Sequence, residues 1–295
     1  MTELQKKEFE MLKLFVDICN QLNLDYYLVC GSALGAVKYE GFIPWDDDID
    51  VALPRKDYEV FLSKAPSLLP SWCFLQNYRT DPKFPLLGTK LRDSRTTFVE
   101  CMCDELDINH GIFIDVFPLD GYHHSKKNDA LLAKERRIFE GARRVNLTYR
   151  RFSPSNILSF TAMYYYLMNR LFGVYGDTSF SVKSFDALIS SFNAEATELL
   201  CNHANSVSPA ELAPREQYGP GAWAKFEGLK VRIPEKYDEY LTQKYGDWRA
   251  DLPKEEQVGH HYAAVIDLDH PYTDYVEKLP NGKIRIKGLP DKTCK

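Results

Sequence analysis

The chain has 295 residues, of which 44% are hydrophobic and 27% charged. This composition is close to the average of globular proteins, so it argues against disordered and fibrous classes. A formal net charge of -5 and a pI near 5.9 argue against non-specific binding to nucleic acid. No stretch approaches the roughly 18 apolar residues of a membrane-spanning helix, and the length allows one large domain or two modest ones.

The first 24 residues place Leu12, Phe15 and Ile18 at helical spacing, which predicts an amphipathic helix that faces a core. The apolar run at 26–30 predicts a short buried strand that stops at Gly31. Residues 31–41 then predict a helix, with Ser32 suited to cap its N-terminus.

Residues 48–54, "DIDVALP", alternate aspartate with apolar side chains, which is the period of a strand. Pro54 ends this strand and opens a predicted helix over 54–66. Four further strands are predicted, of which the last is the most strongly patterned, at 72–78, 87–93, 96–100 and 111–120.

From about residue 125 to 203 the pattern changes to long helical stretches. Residues 226–234 predict a strand or hairpin, 234–246 predict a helix, and the polar tail is predicted to be irregular. The order of elements is that of an α+β protein. We place a catalytic core in residues 1–122 and 216–295, and an α-helical insertion subdomain in 123–215.

Asp48 and Asp50 are predicted to project from one face of the acidic strand, because strand side chains alternate between faces. Two carboxylates about 4 Å apart repel by roughly 1 kcal/mol in bulk water and roughly 4 kcal/mol at an effective dielectric constant near 20. A divalent cation offsets this repulsion, and Mg²⁺ prefers one or two carboxylates with waters and phosphates. Asp46 and Asp47 precede the strand, where they either assist through waters or cap a turn.

Asp115 is the candidate third ligand, because it is a lone acid within the apolar strand at 111–120 and ionised carboxylates are rarely buried without a partner. An ion pair with Arg or Lys is the alternative. Asp120 is interpreted as a cap or turn residue at the strand end. Gly31 and Ser32 are suited to cradle a phosphate at the start of a helix.

Other metal chemistry is not favoured. An EF-hand loop needs a central Gly and a closing Glu that are absent at the required offsets. Cys101 and Cys103, with His110, His123 and His124 downstream, suggest zinc, but zinc fingers place two to four residues between paired cysteines. The seven cysteines are scattered and odd in number, which predicts reduced thiols in the cytoplasm, at positions 19, 30, 73, 101, 103, 201 and 294.

Four stretches together resemble the LicD family of phosphocholine transferases, whose relatives include the fukutin-type ribitol-phosphate transferases: 31–61, 90–98, 111–121 and 226–248. The resemblance implies a nucleotidyltransferase-like core, that is, a mixed β-sheet flanked by helices. It also implies that Gly31 and Ser32 are the Gly-Ser signature, Asp48 and Asp50 the metal-binding pair, and Asp115 the third catalytic carboxylate.

The family moves a phosphoalcohol, typically phosphocholine from CDP-choline, to a hydroxyl of a surface polysaccharide, teichoic acid or glycolipid, and releases CMP. The resemblance therefore implies Mg²⁺ or Mn²⁺ as cofactor, a CDP-alcohol donor, a glycan or lipid-linked glycan acceptor, and a cytoplasmic location at or near the inner face of the membrane. Lys38 is a departure, because many members carry Arg there, and this leaves the donor alcohol open.

The candidates for donor binding also include a ring and several cations. Trp45 is the first candidate to hold a quaternary ammonium over its face. The cations that would neutralise phosphate charge are Lys38, Arg55, Lys90 and Arg92. The aromatic run at 163–176 suggests peripheral contact with a membrane-bound acceptor, with core packing as the alternative.

Three other functions remain open from the residues. A nucleotidyltransferase that attaches NMP to a small molecule or protein would use the same aspartates and release pyrophosphate. A glycosyltransferase with an Asp-x-Asp motif would lack the Gly-Ser turn. A catalytically inactive nucleotide-binding module usually loses an acid, whereas Asp48, Asp50 and Asp115 are all present.

Overall fold

The structure of the protein is a computed structural model, which describes residues 1–147, 178–194, 197–204, 211–259, 261–280, 282 and 284–287, with four isolated positions between 164 and 171. Within this part of the chain, no helix combines the length and the apolar character needed to cross a lipid bilayer. The predicted aromatic run at 163–176 falls largely outside the described residues.

The elements follow one another in mixed order, as the pattern of the sequence predicted. The described helices are α1 (Glu3–Leu22), α2 (Cys30–Lys38), α3 (Arg55–Lys64), α4 (Lys126–Leu147), α5 (Thr178–Ser191), α6 (Arg215–Tyr218) and α7 (Tyr237–Tyr245). The described strands are β1 (Tyr27–Leu28), β2 (Asp50–Pro54), β3 (Cys73–Gln76), β4 (Thr89–Asp93), β5 (Thr97–Glu100), β6 (Ile112–Tyr122), β7 (Leu199–Cys201), β8 (Leu212–Pro214), β9 (Ala222–Phe226), β10 (Leu229–Ile233), β11 (Ala263–Asp267), β12 (Val276–Lys278) and β13 (Ile284–Ile286).

The central sheet has the spatial order β1-β2-β6-β4-β3, and β7 and β8 extend it from β6. β2 runs parallel to β6, whereas β4 pairs antiparallel with both β6 and β3. The sheet is therefore mixed and carries helices, which confirms the α+β prediction. The predicted hairpin at 226–234 is also present, as β9 paired with β10.

Helix α1 covers the central sheet, in contact with β6. Thr2 and Gln5 form a capping box at its start, in which each side chain accepts a hydrogen bond from the other's backbone N–H. Leu12 and Phe15 are fully buried in the main hydrophobic core, as the helical spacing predicted. A capped amphipathic helix thus closes one face of the sheet.

Ser32 lies inside α2, so the prediction that it caps this helix was wrong. The helix begins at Cys30, and Val29 occupies the cap position without a side-chain hydrogen bond. The Ser32 hydroxyl instead accepts a hydrogen bond from the backbone N–H of Asp50, at 2.8 Å. The serine oxygen is used by the neighbouring strand because α2 returns the chain directly beside the start of β2.

The helical pattern predicted up to about residue 203 ends earlier than expected. α5 stops at Ser191, and β7 follows and pairs with Asp120–Tyr122 of β6. Local helix propensity is overridden there by pairing with a sheet edge. Segment 123–215 therefore supplies two strands of the central sheet as well as α4 and α5, and its limits as a subdomain stay a prediction.

The tail after α7 contains strands, so the prediction that it is irregular was also wrong. β11 pairs antiparallel with β5, and β12 pairs with β13. Strands this short give little pattern in a sequence. The pairing of β11 with β5 brings the C-terminal segment back to the N-terminal half of the chain.

A buried ion-pair cluster connects α3, β6 and α5. The Arg55 guanidinium donates two hydrogen bonds of 2.7 Å to Asp120 and lies 3.0 Å from Asp186 of α5. Arg55 is 5% exposed and Asp120 0%. Asp120 is therefore a buried charge partner within β6 and not the cap or turn residue predicted.

Replacing Arg55 with Ala is expected to lower the free energy of unfolding by about 3–5 kcal/mol, because Asp120 would stay buried without its cation. Urea unfolding followed by far-UV circular dichroism measures this change. Arg285→Ala is the matched control, since Arg285 forms an exposed pair with Glu277 at 4.0 Å, and its loss is expected to cost less than about 1 kcal/mol. Equal costs for the two variants would contradict the structural role of Arg55.

Candidate active site

Three residues lie side by side on neighbouring strands of the central sheet. Asp50 of β2 is in register with Asp115 of β6, and Asp115 is in register with Lys90 of β4. Lys90 Nζ lies 3.1 Å from Asp115 Oδ2. Asp115 thus forms the ion pair that was the alternative from the sequence, and it also faces the acidic strand, so its role as a metal ligand stays a prediction.

Asp48, Asp50 and Asp115 converge, with one carboxylate oxygen from each within 4.8 Å of the others. Asp48 precedes β2 and so lies outside the strand that was predicted to contain it. Its carboxylate nevertheless lies on the same side as that of Asp50. The hydrogen bond from Asp50 N–H to Ser32 fixes the start of this strand. The geometry brings together the three carboxylates that the sequence singled out.

The turn into α2 is strained at the edge of this cluster. Cys30 has a φ of 53°, a left-handed conformation that is costly for a residue with a Cβ. Its backbone N–H donates to the Tyr240 hydroxyl of α7, at 3.0 Å. The next residue is Gly31, and a Cβ built there would lie 2.7 Å from Asp46 Oδ2. A side chain at this point would displace the Asp46 carboxylate, which occupies the space.

The carboxylates repel one another in a poorly solvated place. Burial and the charge of Asp47 raise the pKa of Asp46 to about 6. Burial raises the pKa of Asp48 to about 7, although the charge of His261 acts to lower it. Burial and the charges of Asp48 and Asp115 also raise the pKa of Asp50. The cluster is therefore a place where positive charge is favoured.

A further carboxylate lies behind the cluster, on α1. Glu8 is 1% exposed, and its Oε2 atom has no hydrogen-bond partner in the described part of the chain. Burial and the charges of Asp48 and Asp47 raise its pKa well above the ordinary value. Gln5, one turn earlier, donates to the backbone oxygen of Asp46 at 2.9 Å. Helix α1 therefore holds the acidic loop from behind.

His261 was missed by the reasoning from sequence. Its backbone N–H donates to Asp47 Oδ2 at 3.1 Å, and its Nδ1 atom lies 3.3 Å from Asp47 Oδ1 and 3.8 Å from Asp48 Oδ2. Burial acts to lower the pKa of His261, but the hydrogen bond to Asp47 and the charge of Asp48 raise it to about 8. A single histidine more than 200 residues from the acidic strand carries no local signal.

The acidic cluster opens into a cavity of about 340 Å³. Asp48 and Asp50 line one part of it, and Trp45, the aromatic residue predicted from sequence, lines another. The remaining lining residues are mostly apolar or aromatic and include Gly31, Leu34, Tyr39, Ile43, Tyr245, Trp248 and Leu252. The cavity is of the size that small ligands occupy, which is about 300–1,000 Å³.

The cations that were predicted to neutralise phosphate charge differ in whether they line the cavity. Lys38 lines the cavity, but its ammonium group is held by the backbone oxygens of Arg249 and Ala250, at 3.0 and 2.9 Å, and by Asp251 at 2.9 Å. Lys38 therefore fastens the segment after α7 to α2. Lys244 of α7 also lines the cavity and is paired with Glu211.

Lys90 and Arg92 share one face of β4, as predicted, but both are buried behind the carboxylates. Lys90 lies 3.4 Å from Glu100, and Arg92 donates to the same Glu100 at 2.8 Å. Neither residue lines the cavity. Arg55 is not brought to the cavity either, since its guanidinium belongs to the ion-pair cluster with Asp120 and Asp186.

The cysteines do not form a metal site among the described residues, because neither group with metal-ligand spacing there contains one. Cys101 is disulfide-bonded, so the prediction that all thiols are reduced was wrong at this position. Cys103 is free and buried. Burial raises the pKa of the Cys30 thiol, which leaves it protonated beside Asp50.

Carboxylates on neighbouring strands of a mixed sheet, beside Gly31 and Ser32 at the start of α2, form the arrangement expected of a nucleotidyltransferase-like core. Residues 23–157 match the family model described as LicD/FKTN/FKRP, nucleotidyltransferase domain. Residues 23–157 thus form a LicD-family domain, which confirms the resemblance seen in the sequence.

Similar proteins agree with this assignment. The lipopolysaccharide cholinephosphotransferase LicD of Haemophilus influenzae is 26% identical over 266 residues, which cover 85% of this chain and 92% of that protein. Shorter similarities occur to an uncharacterized protein of Rickettsia prowazekii, 33% identical over 49 residues, and to one of Rickettsia typhi, 34% identical over 56 residues. Each of these two covers 18% of the relative, and they cover 17% and 18% of this chain.

The ligand atoms available in the cluster suit a hard divalent cation. Asp48, Asp50 and Asp115 offer only oxygen, which favours Mg²⁺, Ca²⁺ or Mn²⁺ over softer metals. The raised pKa of Asp50 indicates that its negative charge is not compensated by the protein alone. The residues present therefore fit a metal ion of the class that the family implies.

Asp50→Asn is expected to raise the melting temperature measured in EDTA by about 2 °C, or about 1 kcal/mol, because it removes repulsion from Asp48 and Asp115. The same variant is expected to lose the stabilisation that Mg²⁺ or Mn²⁺ gives the wild-type protein. Differential scanning calorimetry with and without metal measures both effects. Asp25→Asn is the control, since Asp25 is exposed and pairs with Arg232. Metal-dependent stabilisation that survives in Asp50→Asn would contradict the assignment.

Proposed function

We propose that the protein transfers phosphocholine from CDP-choline to a hydroxyl group of a cell-surface glycan and releases CMP. The observation that carries the proposal is one cavity in which Asp48 and Asp50 adjoin aromatic rings. The similarity to a lipopolysaccharide cholinephosphotransferase, which extends over 85% of this chain, supports the same class of donor and acceptor. The reaction would take place in the cytoplasm, at the inner face of the membrane where the acceptor is lipid-linked.

The aromatic part of the cavity suits a quaternary ammonium, which cannot accept or donate a hydrogen bond and binds over ring faces instead. Trp45 and Tyr39 meet edge to face, with ring centroids 6.4 Å apart. Tyr245 and Trp248 come from α7 and the segment after it. Asp247 also lines the cavity and adds negative charge that favours a cation.

The start of α2 suits the diphosphate of the donor. Gly31, in the first turn of this helix, lines the cavity, and the first N–H groups of a helix have no partner within it. A phosphate is also favoured there by the positive end of the helix dipole. Lys244 supplies a nearby ammonium group in the same cavity.

Asp48, Asp50 and Asp115 would hold Mg²⁺ or Mn²⁺ beside that diphosphate. Such an ion neutralises the charge of the donor and of the departing phosphate. In the proposed reaction the acceptor hydroxyl oxygen bonds to the phosphorus that carries choline, and the bond from this phosphorus to the oxygen of CMP breaks. CMP keeps the bonding electron pair, and a carboxylate oxygen of Asp115 takes the proton of the hydroxyl.

Lys90 keeps Asp115 in position for this role, since its ammonium lies 3.1 Å from Asp115 Oδ2 and is itself held by Glu100. Lys90 also lies over the ring of Phe113, with Nζ 3.3 Å from the centroid. A side chain fixed on three sides loses little further freedom when substrate binds. The role of Lys90 is therefore to orient Asp115, and not to contact the donor as the sequence suggested.

Purified protein incubated with Mg²⁺, a lipopolysaccharide acceptor and either CDP-choline, CDP-ethanolamine, CDP-glycerol or CDP-ribitol is expected to release CMP fastest from CDP-choline. Asp48→Asn is expected to reduce the rate at least about 1,000-fold, because charge stabilisation of the transition state is lost, whereas Asp25→Asn keeps it. Chromatography of nucleotides and mass spectrometry of the acceptor measure the reaction. Release of pyrophosphate from a nucleoside triphosphate would instead identify a nucleotidyltransferase, and CDP-ribitol as the best donor would overturn phosphocholine.

Trp45→Ala is expected to raise the KM for CDP-choline about 3-fold to 30-fold, since a cation over an aromatic face contributes about 0.5–2 kcal/mol. The KM for CDP-glycerol, which has no cationic head, is expected to change less, and Trp45→Phe should recover part of the loss. Trp223→Ala is the control, because Trp223 is 52% exposed and does not line the cavity. Equal increases of KM for both donors would show that Trp45 only shapes the wall.

A further inference from the structure

We propose that Asp47, Asp48 and His261 form a second divalent-cation position, which shares Asp48 with the position formed by Asp48, Asp50 and Asp115. One ligand atom from each of the three residues lies within 4.8 Å of the others. The inference rests on the proposed function for the first ion, since the two positions would lie side by side on a bridging carboxylate, as in two-metal sites.

The geometry of His261 is that of a side chain held in place for a ligand role. Its ring packs edge-on against Phe98 and Phe113, with centroids 6.4 and 5.5 Å away. The chain around it is fixed because the Cys101 N–H donates to the Tyr262 oxygen, at 2.8 Å, and β11 pairs with β5 directly afterwards. The ring nitrogen is therefore presented to Asp47 and Asp48 by a rigid part of the fold.

Gly259 shows how tightly this segment closes on the acidic loop. A Cβ built at Gly259 would lie 2.5 Å from Asp47 Oδ2. Only a residue without a side chain lets the backbone approach the carboxylate this closely. The approach positions Asp47 between Gly259 and His261, so the C-terminal segment contributes to its orientation.

Charge supplies a second, independent argument. The acidic loop and β6 contribute five carboxylates here, Asp46, Asp47, Asp48, Asp50 and Asp115. The ion pairs that the structure describes for them come from two cations, Lys90 and His261, and Lys90 is shared with Glu100. One divalent ion offsets two charges, and a second position brings the remainder closer to balance.

The ligand set predicts which ion the second position takes. The first position offers oxygen alone, whereas the second offers an imidazole nitrogen with carboxylate oxygen. Imidazole suits transition metals better than Mg²⁺, and carboxylate suits Mn²⁺. Mn²⁺ is therefore the ion that fits both positions.

The competing explanation is that His261 only orients Asp47 as a cation. Mn²⁺ distinguishes the two, because electron spin echo spectroscopy detects nitrogen bonded to the ion and free Mn²⁺ can be counted by electron paramagnetic resonance. The wild-type protein is expected to bind two Mn²⁺ per chain and to show ¹⁴N modulation. The His261→Asn variant is expected to bind one Mn²⁺ and to lose the ¹⁴N modulation. The Asp115→Asn variant is expected to lose one Mn²⁺ but to keep the modulation.

His270→Asn is the matched control, because His270 is an exposed histidine that pairs with Asp267 at 3.1 Å on the same segment. It is expected to keep both ions and the modulation. One ion per wild-type chain, or modulation that persists in His261→Asn, would overturn the proposal. Asp47→Asn tests the same position should His261→Asn not fold, with loss of one ion expected. These measurements need no donor or acceptor, so failure of phosphocholine transfer would leave them interpretable.

Discussion

The row formed by Asp50, Asp115 and Lys90 across three adjacent strands is the constraint on which the site depends. Neighbouring strands lie about 4.8 Å apart, so residues in register on them cannot separate their charges. Two carboxylates and one ammonium therefore meet at fixed spacing, whatever their loops do. A buried series of ion pairs continues from this row, with charges that alternate in sign: Asp115, Lys90, Glu100 and Arg92. This alternation pairs Asp115 with a cation inside the sheet and leaves the excess negative charge on the cavity side.

The walls of the cavity come from parts of the chain that are distant in sequence. The family match at residues 23–157 contains the acidic strand and Asp115, whereas the opposite wall consists of Lys244, Tyr245 and Trp248. Lys38 connects the two, since its ammonium binds the backbone oxygens of Arg249 and Ala250. The carboxylates and the rings of Tyr39 and Trp45 come from the first segment, whereas the rings of Tyr245 and Trp248 come from the second. In the proposed reaction, changes in the second segment would therefore alter part of the alcohol site without replacing a carboxylate.

The strands and the acidic cluster were predictable because they leave local patterns. Asp48 and Asp50 alternate with apolar residues, and Asp115 interrupts an apolar strand, so each is conspicuous within ten residues of sequence. Arg55 and Lys38 were harder, because a cation beside an acidic strand has the same pattern whether it binds a phosphate or a buried Asp120. His261 could not be found, since its position beside the acidic loop depends on the pairing of β11 with β5, which is a contact between residues far apart. Ser32 was placed correctly in the chain but given the wrong partner, because its oxygen meets a strand that follows α2.

Without a bound cation, the clustered carboxylates lower the stability of the folded protein. The surrounding structure shows how this loss of stability is offset. Carboxylates that are buried together with raised pKa values lower the stability of the folded state at neutral pH, and the left-handed Cys30 adds backbone strain. The elements that position the cluster are correspondingly well fixed. α1 begins with a capping box and holds the acidic loop through Gln5, while the Tyr240 hydroxyl anchors the Cys30 N–H. Because the helices and strands supply this stability independently of the acids, the cluster is free to be arranged for an ion instead of for the folded state alone.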